Sequence, residues 1–572
     1  MLSNCIRRRL KANIKHEKMG SDILKVVDGY PEYMWESIKK VEETRQGRIG
    51  AVIPVMTLKE REEILNKFHP DYKSGTKRKV KVGPNKEDLI YNEIVELLEA
   101  KPLIEPKDVD LNMVDYDVDL LIIGGGGAGT VSALWAYESG VSPENMLIVT
   151  KLRHGDSNSM MAQGGVQAAD RPEDSPSVHY LDAYGGGHFT NKPDLVRALV
   201  HDAPLIIKWH EELGVMYDRD ENGDFIELSG GGTSKHRLHA AKDYTGMEIM
   251  RNIRDRARNF EIPVLEFAAV IELLMDNDGR AAGGIALNME TQQYSIIKAK
   301  AVILATGGSG RLHLQNYPTT NHYGATGDGL VMAYHAGAKL RDLDAAQYHP
   351  TGAIYPEALV GLLCTEKIRG LGALPVNCDG KPFVFPLEPR DVESAAFIRE
   401  CYEQNKGIDT PTGLRGVWLD TPMIDEIHGE GTIAKNLSAM VRQFSRFGID
   451  MIKHPILVFP TLHYQNGGVE INERTETGIP GLFAAGEITG GVHGKNRLMG
   501  NSVLDFNVFG RRAGIYAAEY IKSVKIGKLT LSHIERYNKM LEKADIKTVK
   551  KAPMILPDYR GEMAISRALD IL

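Results

Sequence analysis

The chain has 572 residues, of which 42% are hydrophobic and 25% charged, a composition typical of globular proteins with more than one domain. Its formal net charge of −7 argues against a broad surface for nucleic acid. No apolar run is long enough to cross a bilayer, and the basic start NCIRRRLKANIKHEK lacks the apolar stretch of an export signal. We therefore expect a cytoplasmic protein without a transmembrane segment. Any association with a membrane would be through partner subunits.

Residues 1–115 are charged, and their apolar residues recur at helical spacing in YMWESIKKVEETRQ and LIYNEIVELLEA. They contain no motif that carries chemistry. We predict a helical N-terminal extension that docks on the rest of the protein or covers it.

A glycine-rich turn follows an apolar strand in DVDLLIIGGGGAGTVSALWAYESG, residues 117–140. Gly124, Gly126 and Gly129 fit the G-x-G-x-x-G pattern, in which backbone N–H groups and a helix N-terminus face a pyrophosphate. Glycines can also serve a tight turn alone, but here a strand and a helix flank the turn as a dinucleotide site requires. The next strand, NMLIVTK, ends in Thr150 and Lys151 rather than in the acidic residue that binds an NAD ribose, which favours FAD.

Two later strands also run into glycine turns, in KAKAVILATGGSGR and IPGLFAAGEITGG. Their return late in the chain predicts one α/β sheet assembled from distant segments. We expect a Rossmann-like FAD-binding domain formed by residues 116–347 and 463–525, interrupted by an inserted α+β capping domain at residues 348–462. Residues 526–572 include the amphipathic stretch LSHIERYNKMLEKADIKTVKK and are predicted to form a helical C-terminal segment.

The stretch GLLCTEKIRG, residues 361–370, places charged residues directly after an apolar run. Glu366 and Arg369 follow closely on Thr365. This spacing fits an ordinary helix start or a structural ion pair, and it also fits a proton path into a dry pocket. The stretch alone leaves both interpretations open.

The four cysteines are scattered, at Cys5, Cys364, Cys378 and Cys401. They form no C-x-x-C motif, and no His/Cys cluster has the spacing of metal ligands. We expect free thiols, no metal site, and no iron–sulfur cluster held by this chain alone.

Seven motifs occur in order along the chain: TKLRHGDSNSMMAQGGVQAA, YHPTG, CTEKIRGLGA, PRDV, PTLHYQNGG, AAGE and VHGKNRLMGNSVLD. In this order they resemble the flavoprotein subunits of succinate dehydrogenase and fumarate reductase, whose superfamily includes L-aspartate oxidase. The resemblance covers roughly residues 115–525. It implies an FAD-binding fold with a mobile capping domain, and hydride exchange between flavin N5 and a C4 dicarboxylate such as fumarate or succinate.

The resemblance assigns residues that suit this chemistry, because two buried substrate carboxylates require cations and hydrogen-bond donors. The implied substrate-binding residues are His349, Thr365, His463 and Arg497. Arg390 is implied as the catalytic proton donor, resupplied through Glu366 and Arg369. A lone histidine is more often structural, but here two histidines stand in two matching motifs. The implied cofactor-binding residues are Gly124, Gly126, Gly127, Ala128, Gly129, Lys151, Ser157, Gln163, Gly164, Gly165, Asp328, Glu487, Ser502 and Val503.

Three features depart from the relatives that form membrane complexes. Asn158 stands where those relatives carry the histidine of the covalent flavin bond, so we predict non-covalent FAD. The lower flavin potential that this implies favours fumarate reduction over succinate oxidation. RGLGA stands in place of RGEGG, and the N-terminal extension takes the place of the large C-terminal domain of those relatives, which leaves the docking partner open.

We predict a fumarate reductase-type flavoprotein that receives electrons from a separate iron–sulfur or other redox subunit. L-Aspartate oxidase is an alternative, because recognition of an amino group can rest on a single side chain. A flavin electron-transfer subunit without dicarboxylate activity is a further alternative, which the paired histidines and arginines of the motifs disfavour.

Overall fold

The structure, a computed structural model, describes residues 26–557 and residue 559. The basic start of the chain and Cys5 lie outside these residues. The described part has a mixed α/β architecture, in agreement with the predicted class. Each of its helices is too short or too polar to span a bilayer. Its three cysteines, Cys364, Cys378 and Cys401, are free thiols, as predicted.

A mixed eight-stranded sheet is assembled from distant parts of the chain. Its parallel strands are Val264–Leu265, Met146–Val149, Tyr116–Ile123, Tyr294–Leu304 and Leu482–Ala484. Its antiparallel extension is formed by Ala281–Asn288, Ala268–Asp276 and Leu529–Thr530. The returning strands predicted from the glycine turns therefore do meet in one sheet.

The strand Tyr116–Ile123 lies inside this sheet because its second half is a continuous apolar run, which suits a parallel strand covered on both faces. The helix Gly127–Glu138 follows directly and packs against the helix Asn501–Tyr520. A Cβ at Gly514 would lie 2.3 Å from the carbonyl oxygen of Ser132, so the close approach of the two helices requires glycine at this contact.

A second, antiparallel sheet carries the histidine motifs. Its strands run in the order Ala346–Ala353, Ile456–Gln465, Arg415–Asp420 and Leu374–Val376, with Ile408–Asp409 beside the third. The boundaries expected at residues 348 and 462 fall inside the first two strands. The chain between those strands forms the helices Lys367–Gly370, Arg390–Ile398, Met423–His428, Thr432–Asn436 and Ser438–Ser445, and a π-helical turn at Arg399–Glu403.

The N-terminal segment is less helical than predicted. Among residues 26–115, the α-helices are Trp35–Thr44, Leu58–Phe68 and Asn92–Leu98. Loops, 3-10 turns and short strands join them, because glycines and prolines interrupt the helical pattern between these stretches. The short strands are Val26–Val27, Tyr30–Pro31, Lys77–Lys79, Leu89–Tyr91 and Lys101–Pro102.

The C-terminal segment contains the predicted helix at Ser532–Lys543. The strand Lys551–Ala552 follows it and pairs in parallel with Lys101–Pro102, so the two terminal segments are joined by backbone hydrogen bonds. Three-stranded sheets are formed by Val166–Gln167, Leu238–His239 and Glu227–Leu228, and by Leu340–Arg341, Gly468–Glu470 and Thr489–Gly490. The remaining helices are Asn158–Met161, Pro176–Gly186, Pro193–Leu213, Thr245–Asn259 and Asp328–Ala336.

Candidate active site

A cavity lies at the carboxyl ends of the parallel strands. Its walls include the turns that follow Tyr116–Ile123, Tyr294–Leu304 and Leu482–Ala484. Ligands of open α/β sheets bind at this edge, because the glycine turns there bring backbone N–H groups close to the ligand.

The first of these turns has no room for side chains. Gly124 has a φ of +118°, and a Cβ there would lie 2.2 Å from the carbonyl oxygen of Ala305. A Cβ at Gly129 would lie 1.9 Å from the carbonyl oxygen of Gly124. Gly127 and Ala128, the first residues of the following helix, line the cavity, where a helix N-terminus favours a phosphate group.

Several buried polar atoms in the cavity wall lack hydrogen-bond partners among the described residues, including one on Gln163 and one on Thr306. Within the described residues, Oε1 of Gln163 and Oγ1 of Thr306 are buried and make no hydrogen bond. Buried polar atoms are normally satisfied, so these two are free to bind a ligand. Together with the glycine turn, they fit a dinucleotide such as FAD.

Most of the predicted cofactor-binding residues line this cavity. They are Gly124, Gly126, Gly127, Ala128, Lys151, Ser157, Gln163, Gly164, Gly165, Asp328, Glu487, Ser502 and Val503. Gly129 does not line it and instead packs behind the turn. Lys151 and Asp328 form an ion pair in the cavity wall, with Nζ 2.7 Å from Oδ2.

Asn158 lies in the wall with its amide fully engaged. Its Nδ2 donates to Oδ1 of Asn321 at 2.7 Å and to Oε2 of Glu487 at 3.0 Å. Its Oδ1 accepts from the backbone N–H of His322 at 2.6 Å. An amide held in this way has no nucleophilic nitrogen to offer a cofactor.

Two neutral histidines occupy the other part of the cavity. The rings of His349 and His463 lie with their centroids 5.0 Å apart. Nδ1 of His463 is 2.6 Å from the hydroxyl of Thr320. Burial, reinforced by the charge of Arg390, lowers the pKa of both histidines well below the usual value. Each is therefore uncharged near neutral pH and able to donate one hydrogen bond and accept another.

Two arginines share an acceptor that sequence reasoning missed. Oε1 of Gln347 accepts from Nη1 of Arg390 at 3.0 Å and from Nη2 of Arg497 at 2.8 Å. Gln347 stands two residues before His349 in the strand Ala346–Ala353, and alternate residues of a strand share a face. The two-residue spacing from His349 was therefore the feature of the sequence that could have identified Gln347 as a residue of the site.

A chain of alternating charges leads away from Arg390. Oε2 of Glu366 lies 2.8 Å from Nε of Arg390 and 3.4 Å from Nη2 of Arg369. Burial alone would raise the pKa of Glu366, but the two guanidinium groups lower it overall. Arg369 does not line the cavity and forms an ion pair with Glu393, a second residue that sequence reasoning missed. Burial raises the pKa of Glu393 well above its usual value.

The predicted substrate-binding and catalytic residues that line the cavity are His349, Thr365, Glu366, Arg390, His463 and Arg497. Burial and the nearby Arg390 lower the pKa of Arg497 to about 9. Two buried cations and two neutral donors around one space make an anion site. A doubly charged, compact ligand would balance these cations.

Comparison with known proteins agrees with this geometry. Residues 119–503 match the family described as FAD binding domain. One component of the fumarate reductase (CoM/CoB) of Methanothermobacter marburgensis is 39% identical over 416 residues, which is 71% of this chain and 73% of that protein. The fumarate reductase flavoprotein subunit of Escherichia coli is 34% identical over 429 residues, 71% of this chain and 69% of that protein. The L-aspartate oxidase of Nostoc is 36% identical over 428 residues, 73% of this chain and 71% of that protein.

Solved structures give the same result. A quinol-fumarate reductase solved with menaquinol molecules matches with a TM-score of 0.67 and 33% identity, over 75% of this chain and 75% of that chain. The open conformation of a flavocytochrome c3 fumarate reductase matches with a TM-score of 0.56 and 27% identity, over 80% of this chain and 86% of that chain. The resemblance predicted from the seven motifs is thus confirmed, and this chain belongs to the family of FAD-dependent oxidoreductases that contains fumarate reductase flavoprotein subunits and L-aspartate oxidases.

Proposed function

We propose that this chain transfers hydride between FAD and a C4 dicarboxylate, and that its main direction is the reduction of fumarate to succinate. One observation carries the proposal. The glycine-lined cofactor space and the cluster of two arginines and two histidines belong to one cavity, from which the Arg390–Glu366–Arg369 chain of charges leads away.

The cofactor space would hold FAD through the glycine turn, Gln163 and Glu487. When bound, FAD supplies the hydride at N5. Glu487 suits a position next to the cofactor because its carboxylate is buried and already held by the backbone N–H of Gln465 at 3.0 Å and by Asn158. FAD is proposed to be non-covalent, since Asn158 offers no nucleophile.

Arg497, His349, His463 and Thr365 are proposed to bind the dicarboxylate. Their positive charge and neutral donors replace the water that two carboxylates lose on burial. Bound in this way, the substrate is held beside Arg390, which lines the same cavity. The binding residues therefore orient the alkene as well as hold it.

Hydride is added to one carbon of the fumarate double bond, and Arg390 is proposed to protonate the other. An arginine is ordinarily a very weak acid, but a developing carbanion is a base strong enough to accept its proton. Burial lowers the pKa of Arg390, which eases this transfer. Once Arg390 has given up a proton, the neutral guanidine is proposed to take a replacement proton from solvent, relayed through Glu366, which accepts from Nε of Arg390 at 2.8 Å, and through Arg369 and Glu393 behind it.

We further propose the division into an FAD-binding domain, residues 116–347 and 463–525, and a capping domain, residues 348–462. The separate sheet of Ala346–Ala353, Ile456–Gln465 and Arg415–Asp420 supports this division. A separate iron–sulfur or other redox subunit is proposed as the electron donor, and it would be the route to any membrane. The names of the relatives as flavoprotein subunits support this.

Anaerobic assays of the purified protein separate the candidates. Dithionite-reduced protein should be reoxidised by fumarate and not by the same concentration of maleate, the cis isomer. L-Aspartate oxidase, supported by the 36% identity to the Nostoc enzyme, would in addition consume aspartate, with fumarate as the acceptor in the anaerobic assay and oxygen in a separate aerobic one. A flavin electron-transfer subunit would show neither fumarate-dependent reoxidation nor aspartate consumption.

A further inference from the structure

A second group of ligand-type side chains lies outside the cavity, on the small sheet of Val166–Gln167, Leu238–His239 and Glu227–Leu228. His239 pairs with Glu227 across one strand pair and with Val166 across the other. Asp170 follows the strand Val166–Gln167 and approaches the same histidine. One ligand atom of each of Asp170, Glu227 and His239 lies within 4.8 Å of the others. The three residues come from distant segments, which is why spacing along the chain predicted no metal site.

The ring of His239 presents a lone pair to two carboxylates. Its side chain is fully buried, and Nδ1 is 3.2 Å from the carbonyl oxygen of Arg237. Because a carbonyl oxygen only accepts, Nδ1 carries the proton and the neutral ring has its lone pair on Nε2. Nε2 lies 3.2 Å from Oδ2 of Asp170 and 3.4 Å from Oε1 of Glu227. Among the described residues it has no hydrogen-bond partner.

A metal ion explains this arrangement better than a histidinium held by two carboxylates. Two ligand atoms that are each about 2.1 Å from a tetrahedral ion lie about 3.4 Å from each other. The distances from Nε2 of His239 to the oxygens of Asp170 and Glu227, 3.2 and 3.4 Å, are close to this value. Both carboxylate oxygens lie at ion-pair distance from Nε2, at 3.2 and 3.4 Å, but among the described residues neither is placed for a well-directed hydrogen bond from a histidinium. Oε1 of Glu227 also lacks a hydrogen-bond partner within the described residues, although it is buried.

The surroundings suit an occupied site. Arg171 holds the other oxygen of Glu227, with Nε 2.9 Å from Oε2, and so leaves Oε1 directed at His239. Asp170 lies at the surface with its side chain 18% exposed, which gives an ion an entry path and leaves coordination positions for water. One imidazole nitrogen with two carboxylate oxygens is a ligand set for zinc and neighbouring transition metals rather than for calcium or magnesium.

We propose that Asp170, Glu227 and His239 bind one divalent transition-metal ion of the zinc class. The ion fastens the strand Val166–Gln167, which begins directly after the cofactor-lining Gly165. Its effect is therefore to stabilise the sheet beside the cofactor turn. No chemistry of the dicarboxylate reaction depends on it.

Isothermal titration of Zn²⁺ into chelator-treated, FAD-loaded protein tests the site, with thermal unfolding as a second measurement. The wild type should bind one Zn²⁺ per chain and unfold at a higher temperature with the ion. Asp170→Asn replaces an exposed ligand and should fold normally. It should weaken binding by at least about 100-fold, the upper end of what loss of a mere supporting residue causes. His239→Ala should behave in the same way.

The matched control is His454→Ala. His454 forms an ion pair with Glu42 at 3.0 Å but has no second carboxylate in such a pair. This variant should bind Zn²⁺ as the wild type does. Equal affinity of the wild type and Asp170→Asn, or the failure of the wild type to bind either Zn²⁺ or Mn²⁺, would overturn the proposal and identify the three residues as an ion-pair cluster.

Discussion

Arg390 and Arg497 donate to the same uncharged oxygen of Gln347, so two cations are held close together in a buried site. Glu366 compensates Arg390 directly, but Arg497 has no carboxylate within ion-pair distance among the described residues. Burial, and after it the charge of Arg390, lowers the pKa of Arg497. A bound substrate carboxylate supplies the missing negative charge, which is a physical reason for the site to bind an anion beside Arg497.

Arg390→Gln tests the proton path. The variant keeps a hydrogen-bond donor but removes the acid. Proton transfer commonly contributes about 10² to 10⁴ in rate, so fumarate-dependent reoxidation measured by stopped flow should slow by that factor. Dicarboxylate binding should weaken much less, because Arg497 and both histidines remain.

The control for this variant is Arg415→Gln, the same substitution at the start of the strand Arg415–Asp420, where Arg415 pairs with Asp409 at 2.6 Å. It should reoxidise at the wild-type rate. Glu366→Gln should slow reoxidation while FAD content stays normal. If Arg390→Gln were reoxidised at the wild-type rate, the proton path would be wrong, and Glu366 and Arg369 would be interpreted as a structural ion pair.

Gln347 is predicted to position both arginines. Gln347→Leu leaves two buried guanidinium N–H groups without their acceptor, which costs about 1–3 kcal/mol of unfolding free energy for each unsatisfied group. Succinate binding should weaken as well, because neither arginine is then oriented. Gln347→Glu should restore stability but not binding, because the added carboxylate takes the place of substrate charge. Wild-type succinate affinity in Gln347→Leu would contradict this role.

The amide of Asn158 bears on cofactor attachment. Acid precipitation of the holoprotein should release all of the yellow cofactor into the supernatant, because no protein nucleophile is supplied at this position. Flavin fluorescence that stays with the protein band on a denaturing gel would contradict the prediction.

At the level of single residues, the sequence identified side chains that belong to the ordered motifs. It did not identify side chains that act by holding those motif residues in place. His349 and Arg497 were predicted because their motifs carry them. Gln347 and Glu393 were not, because a glutamine in a strand and a glutamate in a helix have many ordinary uses. Their roles depend on which arginine the fold places opposite them, and that partner lies far along the chain.

Among the structural elements, the N-terminal segment bridges two parts of the molecule. Arg48 and Arg45 both pair with the buried Asp420, the last residue of the strand Arg415–Asp420, Arg45 at 2.8 Å. Asn85 exchanges hydrogen bonds with the backbone of Leu340, donating at 2.7 Å and accepting at 2.8 Å. The segment therefore contacts both the antiparallel sheet that contains Arg415–Asp420 and the strand Leu340–Arg341.

Asp420→Asn should release this connection. The substitution leaves the buried Arg48 without a counter-charge, and breaking a buried pair in this way typically costs about 3–5 kcal/mol. The free energy of unfolding, measured in urea on the holoprotein, should fall by that amount. Glu426→Gln is the control, because Glu426 meets the same segment through an exposed contact with Gln46 and should change stability little. Equal stability of both variants would contradict the bridging role.

Helices and strands were predicted correctly where the sequence pattern that indicates them lies within a short stretch of chain. Apolar strands that end in glycine turns were placed correctly, because both features are read within about ten residues. The N-terminal segment was expected to be more helical than it is, because its charged residues resemble helix surfaces between the three true helices. The Arg48–Asp420 contact lay beyond prediction, since it joins residues 372 positions apart.

At the scale of the whole molecule, the described chain offers no cluster of its own to carry electrons. Cys364 and Cys401 are buried, and Cys378 is half-buried. All three are free thiols, and burial raises the pKa of each. Protonated, separated thiols do not ligate iron. The proposed electron donor to FAD is therefore a separate redox subunit.

This determines which donors the purified chain should accept. A nicotinamide donor must place its ring against the flavin and have its ribose recognised, yet the strand Met146–Val149 ends in Thr150 and Lys151, and Lys151 is already paired with Asp328. A small one-electron donor such as reduced benzyl viologen needs only to approach the flavin. In anaerobic assays, viologen oxidation should depend on fumarate and be lost in Arg390→Gln. NADH and NADPH should support no fumarate reduction until a redox subunit is added. NADH oxidation by the chain alone, at the viologen rate, would show that it has its own nicotinamide site and needs no partner.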